Sequence, residues 1–396
     1  MSENHDMRTG PLSIALVGTR GVPAHYGGFE TAIEEVGRRL VERGHKVVVY
    51  CRRPADGGPQ SEEYLGMKLV HLPAMRRRTL ETLSHTGLSV AHLLRHRTDA
   101  AIVFNAANAP WLPLVRAAKI PVATHVDGLE WQRAKWGPLG SRYYRACESL
   151  AVRWSDALIA DAEGIAQYYT EEFNAPTSLI TYGAPLLDAG PTDRLAELGL
   201  EAGSYHLVVA RFEPENHVDV IVDGFARSSA ELPLVVVGSA PYSDDYTRRV
   251  HSLADSRVRF LGGVWDQEQL DQLYANSAVY WHGHSVGGTN PSLLRALGAG
   301  TAVNAYDVGF NREVLRSAGE FFRTAADIPA LVHSAESAPK ALGSRAAQSR
   351  VEAGRYDWDI VAGDYERLCL ELRNRDHGPS RLSRRKSAAS AASRSS

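Results

Sequence analysis

The fold is decided by the stretch Ser13–Cys51, which reads SIALVGTRGVPAHYGGFETAIEEVGRRLVERGHKVVVYC. It begins with an apolar run, Ser13–Val17, that has the length and composition of a buried strand. A glycine-rich loop, Gly18–Gly28, leads into Phe29–Arg43, where apolar residues recur at helical spacing and a glycine follows the last turn. Lys46–Cys51 is a second apolar run. This order predicts a βαβ unit at the start of a doubly wound α/β domain with a parallel sheet.

Further along the chain, apolar runs alternate with helical stretches, and the pattern restarts after a segment rich in proline and glycine, Pro185–Pro191. This predicts two parallel-sheet α/β domains facing a cleft, because each such sheet binds ligands at the carboxyl ends of its strands. A final periodic stretch, Trp358–Leu372, predicts a closing helix. The predicted boundaries are a disordered N-terminus at 1–12, a first domain at 13–185, a second domain at 186–355, a closing helix at 356–373 and a disordered basic tail at 374–396.

Composition and charge exclude several classes of protein. With 396 residues, 44% of them hydrophobic and 23% charged, the chain has the composition of a globular protein. A formal net charge of −2 argues against a polycation that binds nucleic acid. Three widely spaced cysteines indicate neither a disulfide framework nor a zinc site, and they fit a reducing cytoplasm. We expect neither a signal peptide nor a membrane-spanning helix, because the N-terminus is polar and no apolar run approaches about 20 residues.

The first glycine-rich loop lacks the pattern of a dinucleotide-binding site. In the G-x-G-x-x-G fingerprint counted from Gly18, Arg20 takes the place of the second glycine. The second strand ends in Cys51-Arg52-Arg53, without the acidic residue that would bind ribose. An NAD-dependent dehydrogenase is therefore disfavoured. The loop is long for a βα connection, which favours a binding role over the alternative of a tight structural turn.

A second glycine-rich loop lies in the second domain. The segment His282–Leu294, HGHSVGGTNPSLL, follows an apolar strand, and Asn290 and Pro291 are typical of the cap and first position of a helix. Backbone N–H groups in such a turn, at the positive end of a helix, hold phosphate. Arg211 ends the first strand of the same domain and is placed for bidentate phosphate binding. A solvated arginine in an ordinary ion pair is the alternative.

Polar groups also gather at a strand end of the first domain. His125, Asp127, Glu130 and Trp131 lie within seven residues of one another. Carboxylates that bind hydroxyl groups and an indole that stacks on a ring would suit a sugar, and the histidine is a candidate catalytic group. A structural role is the alternative for His125.

Two patterns are similar to metal sites, and we interpret both as structural. His282 and His284 alternate at a strand end, but no third ligand follows at a suitable spacing. Asp357 and Asp359 form a D-x-D pair at the start of the last helix, where aspartates cap the helix and interact with its dipole. We expect no metal and no other cofactor.

Two basic segments are candidates for contact with an anionic membrane surface. Arg76–Arg97 opens with three arginines and combines leucines with a single acidic residue, Glu81. The tail beyond Asn374 adds further basic residues, namely Arg381, Arg384, Arg385, Lys386 and Arg394. Solvated charged faces are the alternative for both segments.

Four motifs together resemble the retaining GT-B glycosyltransferases of family four, and most closely their bacterial rhamnosyltransferase-like branch. These motifs are Gly18–Thr31, His125–Trp136, Ala210–Asn216 and His282–Leu294. The resemblance implies two Rossmann-like domains that face a cleft. It implies an acceptor held by the first domain, a nucleoside-diphosphate sugar held mainly by the second, and a C-terminal helix that crosses back to the first domain.

Carried over by matching position, the resemblance assigns roles to residues of this chain. The residues assigned to catalysis are His125, Asp127 and Arg211. The residues assigned to the donor are Gly27, Gly28, Arg211, Glu213, Asn216, Gly287, Gly288, Thr289 and Asn290. The residues assigned to the acceptor are Glu130 and Trp131.

Two features depart from the family pattern. Asn216 stands five residues after Arg211, where many members have a lysine. Gly287 and Arg295 stand where the E-x7-E signature has its two glutamates, the second of which binds the nucleotide ribose. The resemblance therefore implies phosphate binding more directly than it implies recognition of the nucleoside.

The expected activity is transfer of a hexosyl group with retention. The resemblance favours a rhamnosyl group from dTDP-rhamnose, moved onto a lipid-linked glycan in cell-surface polysaccharide synthesis. The expected partners are a nucleotide sugar and a lipid-linked or oligosaccharide acceptor, without nucleic acid, in the cytoplasm and peripherally at the inner face of the membrane. Two alternatives stay open: a nucleotide-sugar epimerase on the same fold, and a non-catalytic glycan-binding relative, which Arg295 favours.

Overall fold

The computed structural model describes residues 10–24, 27–53, 58, 60–75, 80–126, 128–133, 136–238 and 244–374. Several residues singled out in the sequence lie outside these described residues. They are Asp127, the arginines at 76–78, the N-terminus before residue 10 and the basic tail after Asn374.

The first domain is built on an eight-stranded sheet. Its strands are β1 (Ser13–Val17), β2 (Lys46–Arg52), β3 (Glu63–Tyr64), β4 (Met67–Leu72), β5 (Ala100–Phe104), β6 (Val122–His125), β7 (Ala157–Ala160) and β8 (Ser178–Leu179). They lie in the order β3-β4-β2-β1-β5-β6-β7-β8, and every pair is parallel except β3 with β4. The helices of this domain are α1 (Gly28–Glu42), α2 (Glu81–Arg95), α3 (Leu112–Ala117), α4 (Pro138–Trp154) and α5 (Glu163–Phe173).

The second domain is built on a six-stranded parallel sheet. Its strands are β9 (His206–Val209), β10 (Leu234–Val237), β11 (Val258–Gly262), β12 (Val279–His282), β13 (Ala302–Tyr306) and β14 (Gly319–Phe322). They lie in the order β11-β10-β9-β12-β13-β14. The helices are α6 (Asp193–Glu197), α7 (Val218–Ala226), α8 (Asp244–Leu253), α9 (Gln267–Ala275), α10 (Pro291–Gly298), α11 (Gly309–Leu315), α12 (Ile328–Ser337) and α13 (Pro339–Ala353).

Both sheets have the strand order of doubly wound nucleotide-binding folds. In the second domain the order, numbered within the domain, is 3-2-1-4-5-6, the Rossmann arrangement. The first domain repeats this arrangement and adds one short strand at each edge. The predicted fold class, two parallel-sheet Rossmann-like domains, is therefore confirmed.

The apolar core explains why the predicted runs form these elements. Leu16 of β1 and Ile33 of α1 are both buried in one apolar core. Leu293 and Leu297 of α10 belong to the same continuous core, which joins the first domain to the second. Burial of such side chains is the main favourable term in folding.

A last helix, α14 (Trp358–Asn374), crosses back to the first domain and packs on α1, as predicted. The Nε of Arg39 on α1 donates to the Oδ1 of Asp359 at 2.8 Å. Glu366 lies 2.8 Å from the Arg43 guanidinium and 2.9 Å from the Nε2 of His45. The contact therefore combines a buried apolar face with a row of ion pairs.

The basic segment Arg76–Arg97 is described only from Leu80 onward. Within α2, Leu93 is buried against the sheet, whereas Leu88 is 44% exposed. Arg52 of β2 forms an ion pair with Glu81 at 2.9 Å. Part of the apolar face of α2 thus packs inside the domain. Membrane contact by this helix stays a prediction.

Two further properties concern the described part of the chain. None of its helices has the length and hydropathy needed to cross a membrane. Cys51, Cys147 and Cys369 are buried free thiols. The cysteines therefore pack as small apolar side chains.

We predict that Leu368→Ala weakens the attachment of α14, because this side chain is 4% exposed in the shared core. Removing a buried leucine side chain costs about 2–5 kcal/mol of folding free energy. The thermal unfolding midpoint should fall markedly. Ile360→Ala on the same helix is the matched control, because Ile360 is 59% exposed and should change stability by less than about 0.5 kcal/mol. Equal midpoints for the two variants would contradict the role of α14 in the core.

Candidate functional site

The site lies where the carboxyl ends of the two sheets face each other. The strand order reverses between β1 and β5 in the first domain and between β9 and β12 in the second. Parallel sheets open a crevice at such a point, and ligands bind there. The loops that leave these strands begin at Gly18, Asn105, Ala210 and Gly283. Residues of both domains therefore meet in one cleft.

The helix after the second glycine loop begins as the sequence predicts. The Oδ1 of Asn290 accepts a hydrogen bond from the Ser292 N–H at 2.9 Å, and Pro291 takes the first helical position. Gly287 has a φ of +132°, a conformation that a side chain would strain. The positive end of α10 and its first N–H groups thus lie at the cleft.

The glycine loop of the second domain is seated on the first domain. A β-carbon at Gly288 would overlap the Oδ1 of Asp161. The Thr289 hydroxyl donates to the Asp161 carbonyl at 2.6 Å. A β-carbon at Gly128 would lie 2.6 Å from the carbonyl carbon of Gly287. Glycine is required at both approaches, so this loop is part of the contact that closes the cleft.

Gly27 and Gly28 lie on the opposite side of the same cleft. Gly27 precedes α1 with a φ of +133°. A β-carbon at Gly28 would lie 3.0 Å from the Cγ of Pro291, so the start of α1 approaches the start of α10. The Glu30 carboxylate accepts the Arg20 backbone N–H at 3.1 Å and ties the first loop to α1. The structure therefore brings the two glycine loops together.

Arg211 follows the carboxyl end of β9, the edge of the sheet that borders the cleft, and the residue is exposed. The Arg211 carbonyl accepts the Glu213 N–H at 2.8 Å and the Asn216 Nδ2 at 2.8 Å. The Oδ1 of Asn216 accepts from the Nδ1 of His284 at 2.7 Å. Asn216 is buried and holds Arg211 and His284 in place, so its amide is committed to protein partners.

His284 is a neutral group in this site. Burial lowers its pKa well below the usual value, and the charges of Arg133 and Arg211 and the neighbouring His282 lower the pKa further. The imidazole therefore carries one proton, which the contact with Asn216 places on Nδ1. Among the described residues, the two arginines are the positively charged groups that lower this pKa.

Arg133 is a cleft residue that sequence reasoning missed. Its Nε forms an ion pair with Glu130 at 2.6 Å, and its NH1 lies 3.9 Å from the Oε1 of Glu215 in the second domain. Only 16% of its side chain is exposed. In the sequence, the Glu130 and Arg133 spacing is typical of an ordinary i,i+3 pair. The link to Glu215 depends on how the two domains meet.

His125 lies at the end of β6 and is buried among aromatic rings. Its ring stacks on Phe104 with centroids 5.5 Å apart, meets Phe29 edge-on at 5.0 Å and lies 6.1 Å from Tyr182. Burial lowers the pKa of His125 to about 3. The ring is therefore neutral at physiological pH, which suits a hydrogen-bonding group better than a proton carrier.

The residues assigned to the acceptor lie in the segment after β6. Glu130 is buried, and its Oε1 accepts from the Trp136 Nε1 at 3.3 Å. The Arg145 guanidinium lies over the ring of Trp131, 4.7 Å from its centroid. One face of Trp131 is thus engaged by a cation–π contact.

The patterns similar to metal sites are engaged in other contacts. Burial lowers the pKa of His282 to about 3, and its Nδ1 lies 3.4 Å from the Tyr280 hydroxyl. The Oδ1 of Asp357 accepts the Asp359 N–H at 2.7 Å, which is a helix-capping contact. Within the described ranges, no three His, Cys, Asp or Glu side chains are grouped so that they could hold a metal ion.

Arg295, the residue in place of the family glutamate, is turned toward α9. Its NH1 forms a short ion pair with the Oδ1 of Asp271. The neighbouring Ser292 hydroxyl lies 3.0 Å from the Tyr274 hydroxyl of α9. This face of α10 is therefore bound to the second domain itself.

A second contact closes the cleft at α5. The N-cap residue of this helix, Ala162, supplies no side-chain hydrogen bond. Instead, the Oε1 of Glu313 on α11 accepts the Glu163 N–H at 3.0 Å, so the second domain supplies the cap. Burial raises the pKa of Glu313, and the nearby Glu163 carboxylate raises it further.

Two family descriptions match this chain, one for each domain. Residues 27–183 match the family described as Glycosyl transferase 4-like domain. Residues 196–340 match the family described as Glycosyl transferases group 1. The matched ranges contain Gly27 and Gly28, the whole second glycine loop and the ends of β5, β6, β9 and β12.

Solved structures share the fold over most of the chain. Sucrose-phosphate synthase from Thermosynechococcus elongatus superposes with a TM-score of 0.77 at 18% identity, over 91% of this chain and 98% of that one. Anabaena HepE in complex with UDP-glucose superposes with a TM-score of 0.73 at 16% identity, over 90% and 99% of the two chains. At these identities the likeness concerns the GT-B fold.

A curated relative is similar over part of the chain. The GtfA subunit of the UDP-N-acetylglucosamine–peptide N-acetylglucosaminyltransferase of Streptococcus parasanguinis is 24% identical over 215 residues. The match covers 52% of this chain, and this chain spans 41% of the length of that relative.

We predict that Glu313→Ala loosens the start of α5, because it removes a helix cap supplied across the cleft. A lost cap costs about 0.5–2 kcal/mol, so the Glu163 and Gly164 amides should exchange about twofold to thirtyfold faster. Hydrogen exchange read by mass spectrometry measures this. Glu172→Ala is the control, because Glu172 is an exposed residue of the same helix. Unchanged exchange in Glu313→Ala would show that the cap does not hold α5.

We predict that Gly288→Ala prevents full closure, since the new methyl group would overlap Asp161. The cleft should open, and small-angle scattering should give a larger radius of gyration than for the unaltered chain. Gly343→Ala serves as the control, because a β-carbon there meets nothing within 4 Å. Identical scattering of Gly288→Ala and the control would refute the closing role of this loop.

Proposed function

We propose that this chain, a glycosyltransferase with the GT-B fold, moves a hexosyl group from a nucleoside-diphosphate sugar to an acceptor bound by the first domain. The observation that carries the proposal is the glycine loop at the start of α10, which meets an arginine and a second glycine loop in one cleft. A diphosphate is the ligand that this combination of backbone N–H groups, helix dipole and guanidinium suits.

The donor diphosphate would be bound mainly by the second domain. Gly287, Gly288, Thr289 and Asn290 supply the turn and the positive end of α10, and the guanidinium of Arg211 neutralises phosphate charge. Glu213 and Asn216 hold the β9 loop that carries Arg211. Gly27 and Gly28 approach the same ligand from the first domain.

Transfer would proceed with retention. The bond from the anomeric carbon to the β-phosphate oxygen breaks, and a bond from the acceptor oxygen to that carbon forms on the same face. The acceptor proton passes to the departing phosphate. Arg211 and the loop amides stabilise the charge that develops on the phosphate, which is usually the largest catalytic term. No step requires a metal ion.

His125 and Asp127 are the proposed catalytic residues nearest the transferred sugar. With its pKa lowered to about 3 by burial, His125 is neutral and is suited to a hydrogen bond with a sugar hydroxyl. Glu130 and Trp131 would contribute to the acceptor side. The segment from Gly128 to Arg133 lies against the Gly287 loop, which supports an acceptor site next to the donor site.

The proposal also includes a specific donor and a specific acceptor. The family resemblance favours rhamnosyl transfer from dTDP-rhamnose to a lipid-linked glycan, as a step of cell-surface polysaccharide synthesis on the cytoplasmic side of the membrane. Anabaena HepE has been solved with UDP-glucose, so uridine nucleotides are the first comparison to make. The helix α2 and the basic tail would hold the protein at an anionic membrane surface.

One observation supports a second candidate function. Arg295 stands at the position where the family has the glutamate that binds ribose, and its guanidinium is paired with Asp271. A non-catalytic relative that binds glycan without a nucleotide would tolerate this change. Nucleotide binding separates the two functions.

We predict that Arg211→Gln weakens binding of a nucleoside diphosphate. A hydrogen bond to a charged group contributes about 1.5–3 kcal/mol, which corresponds to roughly a tenfold to hundredfold loss of affinity. Isothermal titration calorimetry with UDP, dTDP and GDP measures the loss.

Arg227→Gln is the matched control, because this arginine is exposed at the C-cap of α7 and forms an i,i+4 ion pair with Asp223. Its affinity should equal that of the unaltered chain. Absence of binding by the unaltered chain to any of the three nucleotides would favour the non-catalytic function. Unchanged binding by Arg211→Gln would remove this residue from the site.

A further inference from the structure

We propose that Arg133 of the first domain is the second cation of the donor site and binds the phosphate next to the transferred sugar. This inference rests on the proposed function and extends it to a residue that belongs to the opposite domain. The donor site then has both of its cations only when the cleft is closed.

The position of Arg133 in the cleft is the first support. The residue follows β6 and the short turn of Glu130–Gln132. Gly128, at the beginning of this segment, lies against the backbone of Gly287, so the segment borders the phosphate loop. The Arg133 side chain is mostly buried and reaches Glu215 of the second domain. A guanidinium of the first domain therefore lies beside the loop that starts α10.

The electrostatic environment of the phosphate loop is the second support. His284 lies in the strand-to-loop segment before Gly287. Burial lowers the pKa of His284, and the charge of Arg133 lowers it further. Arg211 acts on the same ring from the second domain. Both guanidiniums thus lie close enough to one imidazole at the edge of the loop to act on it electrostatically.

The charge balance of the second domain explains why a second cation is needed. A nucleoside diphosphate carries more negative charge than one arginine neutralises. Asn216 is neutral, and both ends of its amide are bound to Arg211 and His284. Arg295 is paired with Asp271 on α9. Neither residue is placed to supply the missing charge, whereas Arg133 is.

The partners of Arg133 leave it able to bind an anion. Its Nε faces Glu130, which orients the guanidinium from within the first domain. The NH1 is 3.9 Å from Glu215, which is too far for a hydrogen bond. One oxygen of Glu215, Oε2, is buried without a hydrogen-bond partner among the described residues. A phosphate between the two domains would take the NH1 and NH2 donors in bidentate fashion, the geometry that arginine favours.

The test compares nucleotide binding by Arg133→Gln, Arg133→Lys and the unaltered full chain. We expect Arg133→Gln to bind the nucleoside diphosphate about tenfold to hundredfold more weakly. Arg133→Lys should retain part of the affinity, because it keeps the charge. The loss should be smaller for the nucleoside monophosphate, since the proposal assigns Arg133 to the phosphate next to the transferred sugar. Titration calorimetry of both nucleotides gives this ratio.

Glu215→Gln separates phosphate binding from a purely structural contact between the domains. If Arg133 only holds the domains together through Glu215, Glu215→Gln will lose as much affinity as Arg133→Gln, and the inference is overturned. If Arg133 binds phosphate, Glu215→Gln will bind the diphosphate at least as well as the unaltered chain. Arg142→Gln, an exposed arginine on α4, is the matched control.

The failure of this inference differs from the failure of the proposed function. Binding of a nucleoside diphosphate by the unaltered chain and equally by Arg133→Gln overturns the inference alone. An equal loss for the monophosphate and the diphosphate overturns it as well. An unaltered chain that binds none of the three nucleoside diphosphates overturns both.

Discussion

The close approach of Gly288 to Asp161 is the constraint on which the rest of the site depends. At this point the second domain meets the first with no room for a β-carbon, and the Thr289 hydroxyl bonds the Asp161 carbonyl beside it. A buried contact of this kind, between the Gly288 backbone and the Asp161 carboxylate, holds two sheet edges together more strongly than exposed ion pairs do. The start of α10, Arg211 and the β6 loop occupy one cleft because this contact holds the sheet ends together.

Closure also decides the electrostatics of the site. His125, His282 and His284 are all buried, and burial lowers the pKa of each. These rings hold no positive charge near neutral pH, so arginines and the dipole of α10 supply the field that acts on an anion. An arginine keeps its charge throughout the physiological range. The binding field is therefore expected to be insensitive to pH where histidine would titrate.

How far the sequence predicts this structure depends on how local each feature is. The sequence predicts the strand Ser13–Val17 and the helix after the first loop within a residue or two. This is because hydrophobic periodicity and helix capping depend on residues that are only a few positions apart. The strand β14 was missed, since the four residues Gly319–Phe322 show neither alternation nor a long apolar run. The Asn290 cap was found because it depends only on neighbours.

Features formed between the domains could not be found in this way. Arg133 meets Glu215 and Glu313 caps α5 only because the two sheets face each other. In the sequence each of these residues belongs to an ordinary charged surface pattern. Asp161 likewise gives no local signal, although its carbonyl accepts the Thr289 hydroxyl.

The two departures from the family pattern are consistent with a phosphate site when the positive charges of both domains are counted. A lysine at the position of Asn216 would keep the phosphate charge balanced within the second domain, whether the cleft is open or closed. With a neutral amide there, and with Arg295 paired to Asp271, the second domain alone presents less positive charge to a ligand. Arg133 restores it from the first domain, and it does so only at the distance that the Gly288 contact enforces. A donor bound in this arrangement is held most tightly when the domains are closed, so binding energy is directed toward the state in which the acceptor lies next to the sugar.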